Sequence, residues 1–496
     1  MAWDLTNEKQ GSTGKPKGVA LSQSNTQQML SSLNHDYSFS STDKFLHQSS
    51  ICFDLSIVQI FSALTSGASV CVALLEVRKD PALLARFMRE KDVTVTYFTP
   101  TQFALLLESS SKDLQQCSKY RVAYFAGETL PIRLAKAFYD LRTPATIYNT
   151  WSPSELVVQT AIAKIEPPRD DDTSLPIGFP MANCRHYVLD SKMRPLPQCL
   201  VGELCVGGAQ VGAGYLNRPE ANKHAFVKDP FCSEDDVAKG WTRFFRTGDR
   251  GRFRPDGQLE FHGRIAGDRQ IKLRGFRIDL GEVEHRIHLE SAHIDKRRLV
   301  DLCVVARSTH DGEGLTDDRQ LIAFLVYNQI MEDVEKHKLV ASLHERLGKH
   351  LNHYMLPSAY QYLNSLPVTI GGKVNRKALL EMDLQLTYPS TSFLGSTQTS
   401  EEDKDHILEK VTELFREVLR LPKDREIAPT ANFFELGGQS ILLLRAHSKI
   451  KRTFKIAPPL KALFAAATPI EMAKKVRELQ AIEASRKSDG GVLVTE

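Results

Sequence analysis

A mixed α/β architecture in several units is what this sequence predicts, and three observations predict it. Strand-like and helix-like runs alternate between Pro81 and Tyr148, short β-runs broken by turn signals follow between Gly202 and Glu260, and the C-terminal part reads as a bundle of amphipathic helices.

The alternating stretch begins with Leu83, Leu84, Phe87 and Met88 on one helical face, followed by a β-rich run from Val93 to Phe98 and a helix from Gln102 to Leu107. A strand from Val122 to Phe125, a helix from Ile132 to Tyr139 and a strand from Thr146 to Tyr148 continue it. Alternation of this kind predicts a parallel sheet covered by helices. Gly207-Gly208, Arg218-Pro219 and Pro255-Asp256-Gly257 then mark turns of an antiparallel appendage. Beyond Gly267-Asp268 come a strand at Gln270 to Leu273, a helix around Glu282 to Leu289, strands at Leu302 to Ala306 and Leu321 to Val326, and a helix near Val334 to Leu347. They predict a small α+β unit. The run from Thr387 to Ser400 is rich in Ser, Thr, Gly and Pro and reads as a linker. After it, Ile407, Leu408, Val411, Leu414, Phe415, Val418 and Leu419 recur at helical spacing, and further helices are expected at Ser440 to Ile450, Pro459 to Ala465 and Pro469 to Ala484. Together they predict a four-helix domain. The expected boundaries are 1–267, 268–385, a linker at 386–401, the bundle at 402–484 and a tail at 485–496.

Composition narrows the function. The 496 residues are 42% hydrophobic and 25% charged, and 64 Lys and Arg oppose 60 Asp and Glu, a formal charge of +4. So small an excess gives no electrostatic case for nucleic acid or a membrane surface as partner. No apolar run approaches a bilayer span and the N-terminus lacks the pattern of a secretory signal, so a cytoplasmic protein is expected. The eight cysteines include no C-x-x-C pair and are expected to be reduced, mostly core residues.

Chemistry is concentrated in a few segments. Gly11, Ser12, Thr13, Gly14, Lys15 and Lys17 form a glycine-rich, hydroxyl-bearing, basic loop suited to wrapping phosphates; a mobile surface loop is the plainer alternative. The spacing is not that of a Walker A loop. Phe53-Asp54-Leu55-Ser56, Asn149-Thr150-Trp151-Ser152-Pro153-Ser154-Glu155, Gly202-Glu203-Leu204 with Gly214-Tyr215-Leu216, and Arg246-Thr247-Gly248-Asp249 follow in order. Gly263-Arg264, Gln270 to Gly275, Tyr354-Met355-Leu356-Pro357 and Gly372-Lys373-Val374-Asn375-Arg376 complete the series. This series resembles the motifs of the adenylate-forming superfamily, specifically the adenylation domains of nonribosomal peptide synthetases, over nearly the whole chain. Asn432 to Ile441 is similar to the carrier motif D-x-F-F-x-L-G-G-x-S of thiolation domains. The form of Gly263 to Asp268 resembles fungal polyketide–peptide hybrid synthetases.

The resemblance implies a large α/β subdomain, a small α+β subdomain and a carrier domain that together activate an amino acid with ATP and load it on a thiol. It implies that Lys373 neutralises charge developing on the α-phosphate and that Glu155 holds Mg²⁺. Gly11, Ser12, Thr13, Gly14, Lys17 and Asn149 would bind the nucleotide, Trp151 in the family's tyrosine position would stack on adenine, and Asp249 with Arg264 would take the ribose. A solvated loop Glu and a core Trp are the plain alternatives for Glu155 and Trp151. Asp54 would pair with the α-ammonium group, which makes an α-amino acid the expected substrate. Leu55, Val58, Tyr97, Tyr124, Ala126, Thr150, Val158 and Gln159 would line its side-chain pocket, where mostly apolar walls favour a hydrophobic or aromatic side chain. Asp268 would be the hinge about which the small subdomain turns, with a surface Asp of no such role as the alternative. Ser440 would carry 4′-phosphopantetheine, a plain helix N-cap being the other reading. ATP, Mg²⁺, an amino acid, a phosphopantetheinyl transferase and neighbouring synthetase domains are the implied cofactors and partners.

Some positions depart from the pattern. Lys9-Gln10 stands where the family has Thr-Ser, Ser152 replaces a glycine, and Asn432 replaces an aspartate. Only ten residues precede Gly11, against a substantial N-terminal portion in the family, so a truncated large subdomain with an exposed sheet edge is expected. That opens an alternative function: a catalytically impaired synthetase remnant that serves only as a carrier or interaction protein.

Overall fold

The computed structural model describes residues 9–10, 16–265, 270–273, 276–294, 299–308, 319–329, 331–369, 374–389, 406–419, 421, 427–433, 436, 440–456, 458, 462–463 and 466–488. The chain divides into two compact units, one reaching to Asp279 and the other beginning at Leu280.

In the first unit, β1 (Lys44–His47), β2 (Ser69–Val72), β3 (Val95–Phe98), β4 (Val122–Phe125), β5 (Thr146–Trp151), β6 (Ala161–Ile165) and β7 (Phe179–Pro180) form one sheet in the order β7-β6-β5-β4-β3-β1-β2. Strands β1 to β5 are parallel, whereas β6 and β7 pair antiparallel. The parallel part follows from the helices that alternate with the strands. Asp80 accepts from the Ala82 and Leu83 amides to start helix Pro81–Glu90. Thr99 and Gln102 form a capping box ahead of Pro100, so the helix expected from Gln102 begins two residues earlier and runs from Pro100 to Gln115. All four residues of β3 and of β4 are buried, because apolar clusters cover both faces. Val95, Tyr97, Val122 and Tyr124 belong to one cluster, and Phe98, Ala123, Phe125 and Ile147 to the other. At one edge, near β2, the side chains of Val72, Leu74 and Leu75 are exposed.

The appendage is antiparallel, as the turn signals predict, and begins earlier than Gly202. It contains β8 (Cys184–Leu189), β9 (Gly202–Gly208), β10 (Phe226–Lys228), β11 (Arg243–Phe253) and β12 (Leu259–Arg264), ordered β8-β9-β11-β10 with β12 also on β11. A two-residue ribbon pairs Val19–Ala20 with Gly214–Tyr215, and a hairpin joins Gln270–Leu273 to Phe276–Asp279.

The second unit contains an α+β part and a helical part. Strands Leu299–Arg307 and Gln320–Tyr327 pair antiparallel, and Ala359–Tyr362 adds in parallel. Helices Leu280–Ile294 and Asp333–Gly348 accompany them. Arg376 closes this part by donating to Glu284 Oε1 at 2.6 Å and to the Val304 carbonyl. In the helical part, His406–Leu419, Ser440–Phe454 and Pro469–Ser488 bury Val411, Phe415, Leu443, Ile450, Met472 and Val476 in one core. The helix expected at Pro459 to Ala465 lies mostly outside the described residues.

All eight cysteines are free, but only four are buried; Cys52 and Cys199 are exposed. Among the described residues no helix is long and apolar enough to cross a membrane, and no cluster of three His, Cys, Asp or Glu side chains could hold a metal ion.

Candidate active site

Six of the expected site residues are held by hydrogen bonds around the end of β5 and the turn that follows it. The carboxamide of Asn149 donates to the Pro176 carbonyl at 2.8 Å, and the Thr150 hydroxyl donates to the Phe125 carbonyl at 3.1 Å. The Trp151 indole N–H donates to Asp249 Oδ2 at 3.2 Å. Ser154 then donates its hydroxyl to the Asp54 carboxylate, and the Tyr215 hydroxyl donates to Glu155 Oε1 at 2.9 Å. Glu155, Trp151 and Asp249 are all buried. The chain leaves this turn through Val157 and Val158 at φ +56° and +35°, a left-handed conformation that β-branched residues seldom adopt and that marks stored strain beside the site.

Asp249 is oriented from a second direction. Arg264, its register partner on β12, donates to Asp249 Oδ1 at 2.6 Å and to the Thr247 carbonyl at 2.9 Å. Gly248 adopts φ +70°, the conformation that opens the bulge in β11 next to Asp249. Glu203 on β9 braces that bulge, accepting from Arg246 Nη2 at 2.7 Å and from the Gly248 amide at 3.3 Å. His186 lies beside Trp151, with ring centroids 6.0 Å apart, and shares a 3.1 Å hydrogen bond with Thr160. Burial pushes its pKa down to about 3, so the ring is neutral.

The pocket residues Leu55, Val58, Tyr97, Tyr124, Ala126 and Val158 fall in one packed cluster together with Trp151. Tyr97 and Tyr124 are register partners on β3 and β4, which stacks their rings at 4.3 Å with an 11° tilt. A π-helical turn, Val58–Ser62, places buried Gln59 so that its oxygen accepts from the Gln48 and Ser49 amides while its nitrogen donates to the Tyr97 carbonyl. Gly127 adopts φ +85°, a backbone conformation that favours glycine, beside the Phe53 ring that precedes Asp54.

Gly11, Ser12, Thr13, Gly14, Asp268 and Lys373 lie outside the described residues, as do the side chains of Lys17 and Ser440. Their frames are described. The glycine-rich segment expected to bind phosphates lies in sequence between two strands that pair Lys9 with Lys17 and Gln10 with Pro16. The segment holding Lys373 is bounded by a bridge between Val368 and Val374 and by Asn375, which caps the following helix. The helix Ser440–Phe454 starts at Ser440, and Phe433, seven residues earlier, packs edge-on against Phe415 at 4.9 Å.

Sequence reasoning did not assign Glu203, Tyr215, Ser154 and Gln59 their bracing parts. Three of them lay within the recognised motifs, but their partners are 43 to 100 residues away, a separation no local pattern reports.

Comparison with known proteins follows the same division. Residues 11–216 match the family described as AMP-binding enzyme, and residues 409–476 match the family described as phosphopantetheine attachment site. The chain is 55% identical over 474 residues to the hybrid PKS-NRPS synthetase pynA of Aspergillus niger, covering 94% of this chain and 12% of that protein. It is 34% identical over 488 residues to the nonribosomal peptide synthetase acrB of Aspergillus aculeatus, covering 96% and 30%. The chain thus spans about an eighth of the hybrid synthetase and under a third of the other. The fold is similar to a solved NRPS protein containing adenylation and PCP domains bound to a vinylsulfonamide inhibitor (TM-score 0.69, 23% identity, 95% of this chain and 72% of that one). It is also similar to the Vibrio cholerae adenylation domain AlmE in complex with glycyl-adenosine-5′-phosphate (TM-score 0.61, 24% identity, 75% and 64%). Residues 11–216 therefore belong to the AMP-binding enzymes and residues 409–476 to the phosphopantetheine attachment domains, the pairing found in nonribosomal peptide and hybrid synthetases.

Proposed function

We propose that this chain activates an α-amino acid with ATP and passes it to a phosphopantetheine thiol on Ser440. In the first step a carboxylate oxygen of the amino acid attacks the α-phosphorus and pyrophosphate leaves. In the second, a phosphopantetheine group held on Ser440 would supply the thiol that takes the acyl group, with AMP as the group displaced. One observation carries the reading: the turn at 149–155 is tethered both to Asp54 and to Asp249, so an amine-pairing carboxylate and a ribose-sized acceptor flank one buried glutamate.

The residues fit the groups they would hold. Each Asp249 oxygen already accepts one donor and has a second lone pair, enough for two ribose hydroxyls. Glu155 is a single carboxylate fixed by Tyr215, a donor set suited to Mg²⁺ held mostly by substrate phosphates. Such an ion supplies charge neutralisation at the triphosphate. Asp54, held by Ser154, faces the amine end and orients the amino acid. Lys373 adds positive charge at the reacting phosphate, and Asp268 is the point about which the small subdomain turns between the two steps.

Amino-acid-dependent exchange of pyrophosphate into ATP tests the first step. Lys373→Ala is expected to slow it by roughly 100-fold or more, the scale of losing a charge contact to the transition state. Absence of exchange with every amino acid, while Ser440 still accepts phosphopantetheine, would leave the carrier-only function instead. Asp268→Pro should spare exchange and block loading of Ser440, since proline fixes φ.

A further inference from the structure

Residues 209–216 run between the turn that follows β5 and the strand Val19–Ala20, and they are bonded to both. On the turn side, the Gly212 amide donates to the Glu155 carbonyl at 3.0 Å and the Tyr215 hydroxyl donates to the Glu155 carboxylate at 2.9 Å. On the strand side, the Ala213 amide donates to the Ala20 carbonyl at 2.8 Å and the Leu216 amide to the Gly18 carbonyl at 2.9 Å. The passage is narrow. A Cβ on Gly212 would lie 2.9 Å from the Glu155 carbonyl oxygen and 3.2 Å from that of Ala20, so only glycine passes there without displacing backbone.

The same segment holds the strained exit of the turn. Val157 and Val158 stand at φ +56° and +35°, flanked by Leu156 and Gln159. The carboxamide nitrogen of Gln210, in the orientation its surroundings require, donates to both flanking carbonyls, at 3.0 Å to Leu156 and 2.9 Å to Gln159. Gln210, Leu156, Val157 and Gln159 are all buried, so water is a poor substitute for these bonds. Gln210 is itself fixed from another element. Asn25, the third residue of helix Gln23–Tyr37, donates its carboxamide to the carbonyls of Ala209 at 2.7 Å and Val211 at 3.3 Å, the residues on either side of Gln210. A left-handed pair of β-branched residues persists only where its surroundings over-determine it, and Gln210 reaches both ends of this one from an independently anchored backbone.

We propose that Gln210 is a positioning residue for adenylation: its two donated hydrogen bonds hold Val157 and Val158 in the left-handed conformation and thereby fix Glu155, just upstream, against the strand Val19–Ala20. The proposal rests on the adenylation reading and adds to it a residue that acts through Glu155.

Gln210→Met keeps the length of the side chain and removes both donors. Amino-acid-dependent pyrophosphate exchange should fall about tenfold in kcat, with KM for the amino acid changed less than about twofold, because a shifted Glu155 disturbs the phosphate end of the reaction. Gln210→Glu, isosteric but with an oxygen where the nitrogen stood, should fall at least as far. Glycine holds a positive φ at little cost, so in a Val157→Gly background Gln210→Met should cost no more than about threefold. An equal loss in both backgrounds, a raised KM for the amino acid with unchanged kcat, or full activity in both Gln210 variants would overturn the proposal. Amide hydrogen exchange of the wild-type chain needs no variant to fold: Gly212 and Ala213 should exchange as slowly as the amides of β4, and rates typical of an open loop would overturn the clamp. A wild-type chain that shows no pyrophosphate exchange with any amino acid would overturn the adenylation reading and the role of Gln210 with it, whereas an active wild type with equally active variants would overturn the role of Gln210 alone.

Discussion

Asp54 and Asp249 do different work through the same device, a carboxylate set by a neighbour from the 149–155 turn. Asp54 is positioned by the Ser154 hydroxyl. If it pairs with the substrate ammonium, Asp54→Asn removes the opposite charge and should cut amino-acid-dependent exchange by about 100-fold. Ser154→Ala leaves the charge and only frees its orientation, so a loss of a few-fold to tenfold is expected, rising in KM for the amino acid and not for ATP. At Asp249 the brace is more distant. Glu203 holds Arg246 and the Gly248 amide, and the bulge it supports aims Asp249. Glu203→Gln weakens a charge-assisted contact worth roughly 1.5–3 kcal/mol. Steady-state kinetics should show KM for ATP raised about tenfold with kcat little changed, and a fall in kcat alone would contradict this account of Glu203.

Among the elements, the π-helical turn Val58–Ser62 and the strands β3 to β5 carry Val58, Tyr97, Tyr124 and Thr150, four of the residues proposed to line the amino-acid pocket. Gln59 accepts from two backbone amides and donates to Ser49 Oγ and the Tyr97 carbonyl. Gln59→Leu would strand those amides in the interior, at about 1–3 kcal/mol per group. Chemical denaturation should report a loss of at least about 3 kcal/mol, whereas a neutral result would mean the network relaxes around leucine. The strands β4 and β5 and the helix Ile132–Tyr139 were legible in the sequence because apolar periodicity and turn residues act within a few positions. Helix starts were legible where a cap preceded them, although the Thr99 capping box moved one start to Pro100. The motif residues also signalled their place, since Asp54, Glu155, Trp151 and Asp249 meet around one turn. Strand order, the π-turn and the braces were not legible. Each depends on pairing across tens of residues, as between Glu203 and Arg246 or Gln59 and Tyr97, and local propensity carries no record of that.

For the whole molecule, pH exposes a cost that is distributed over both units. His186 in the first unit is buried and His344 in the second is half-buried, and desolvation lowers their pKa from 6.5 to about 3 and about 4. A depressed histidine is neutral when folded and takes up a proton when unfolded, so stability is complete above 6.5 and falls as pH drops. Between pH 6 and 4 each such residue should cost roughly 1.4 kcal/mol per pH unit. Denaturation midpoints across that window should therefore fall, and His186→Asn should flatten the slope for the first unit. Glu260 acts in the same direction lower down: although burial opposes its charge, hydrogen bonds from Ser174, Arg252 and His262 and the charge of Arg252 hold its pKa at about 2. Its contribution persists above 4.5 and disappears only as pH approaches 2.

If activation and carriage belong to one chain, the acyl group can be followed to its final atom. The chain, converted to its phosphopantetheine form by a phosphopantetheinyl transferase, would be incubated with ATP, Mg²⁺ and the preferred amino acid and then analysed by intact and peptide mass spectrometry. One phosphopantetheine plus one aminoacyl group is expected on the peptide containing Ser440, the aminoacyl group absent without ATP and both absent in Ser440→Ala. Acyl-adenylate formation with no acyl group on that peptide, or acylation that survives Ser440→Ala, would contradict it.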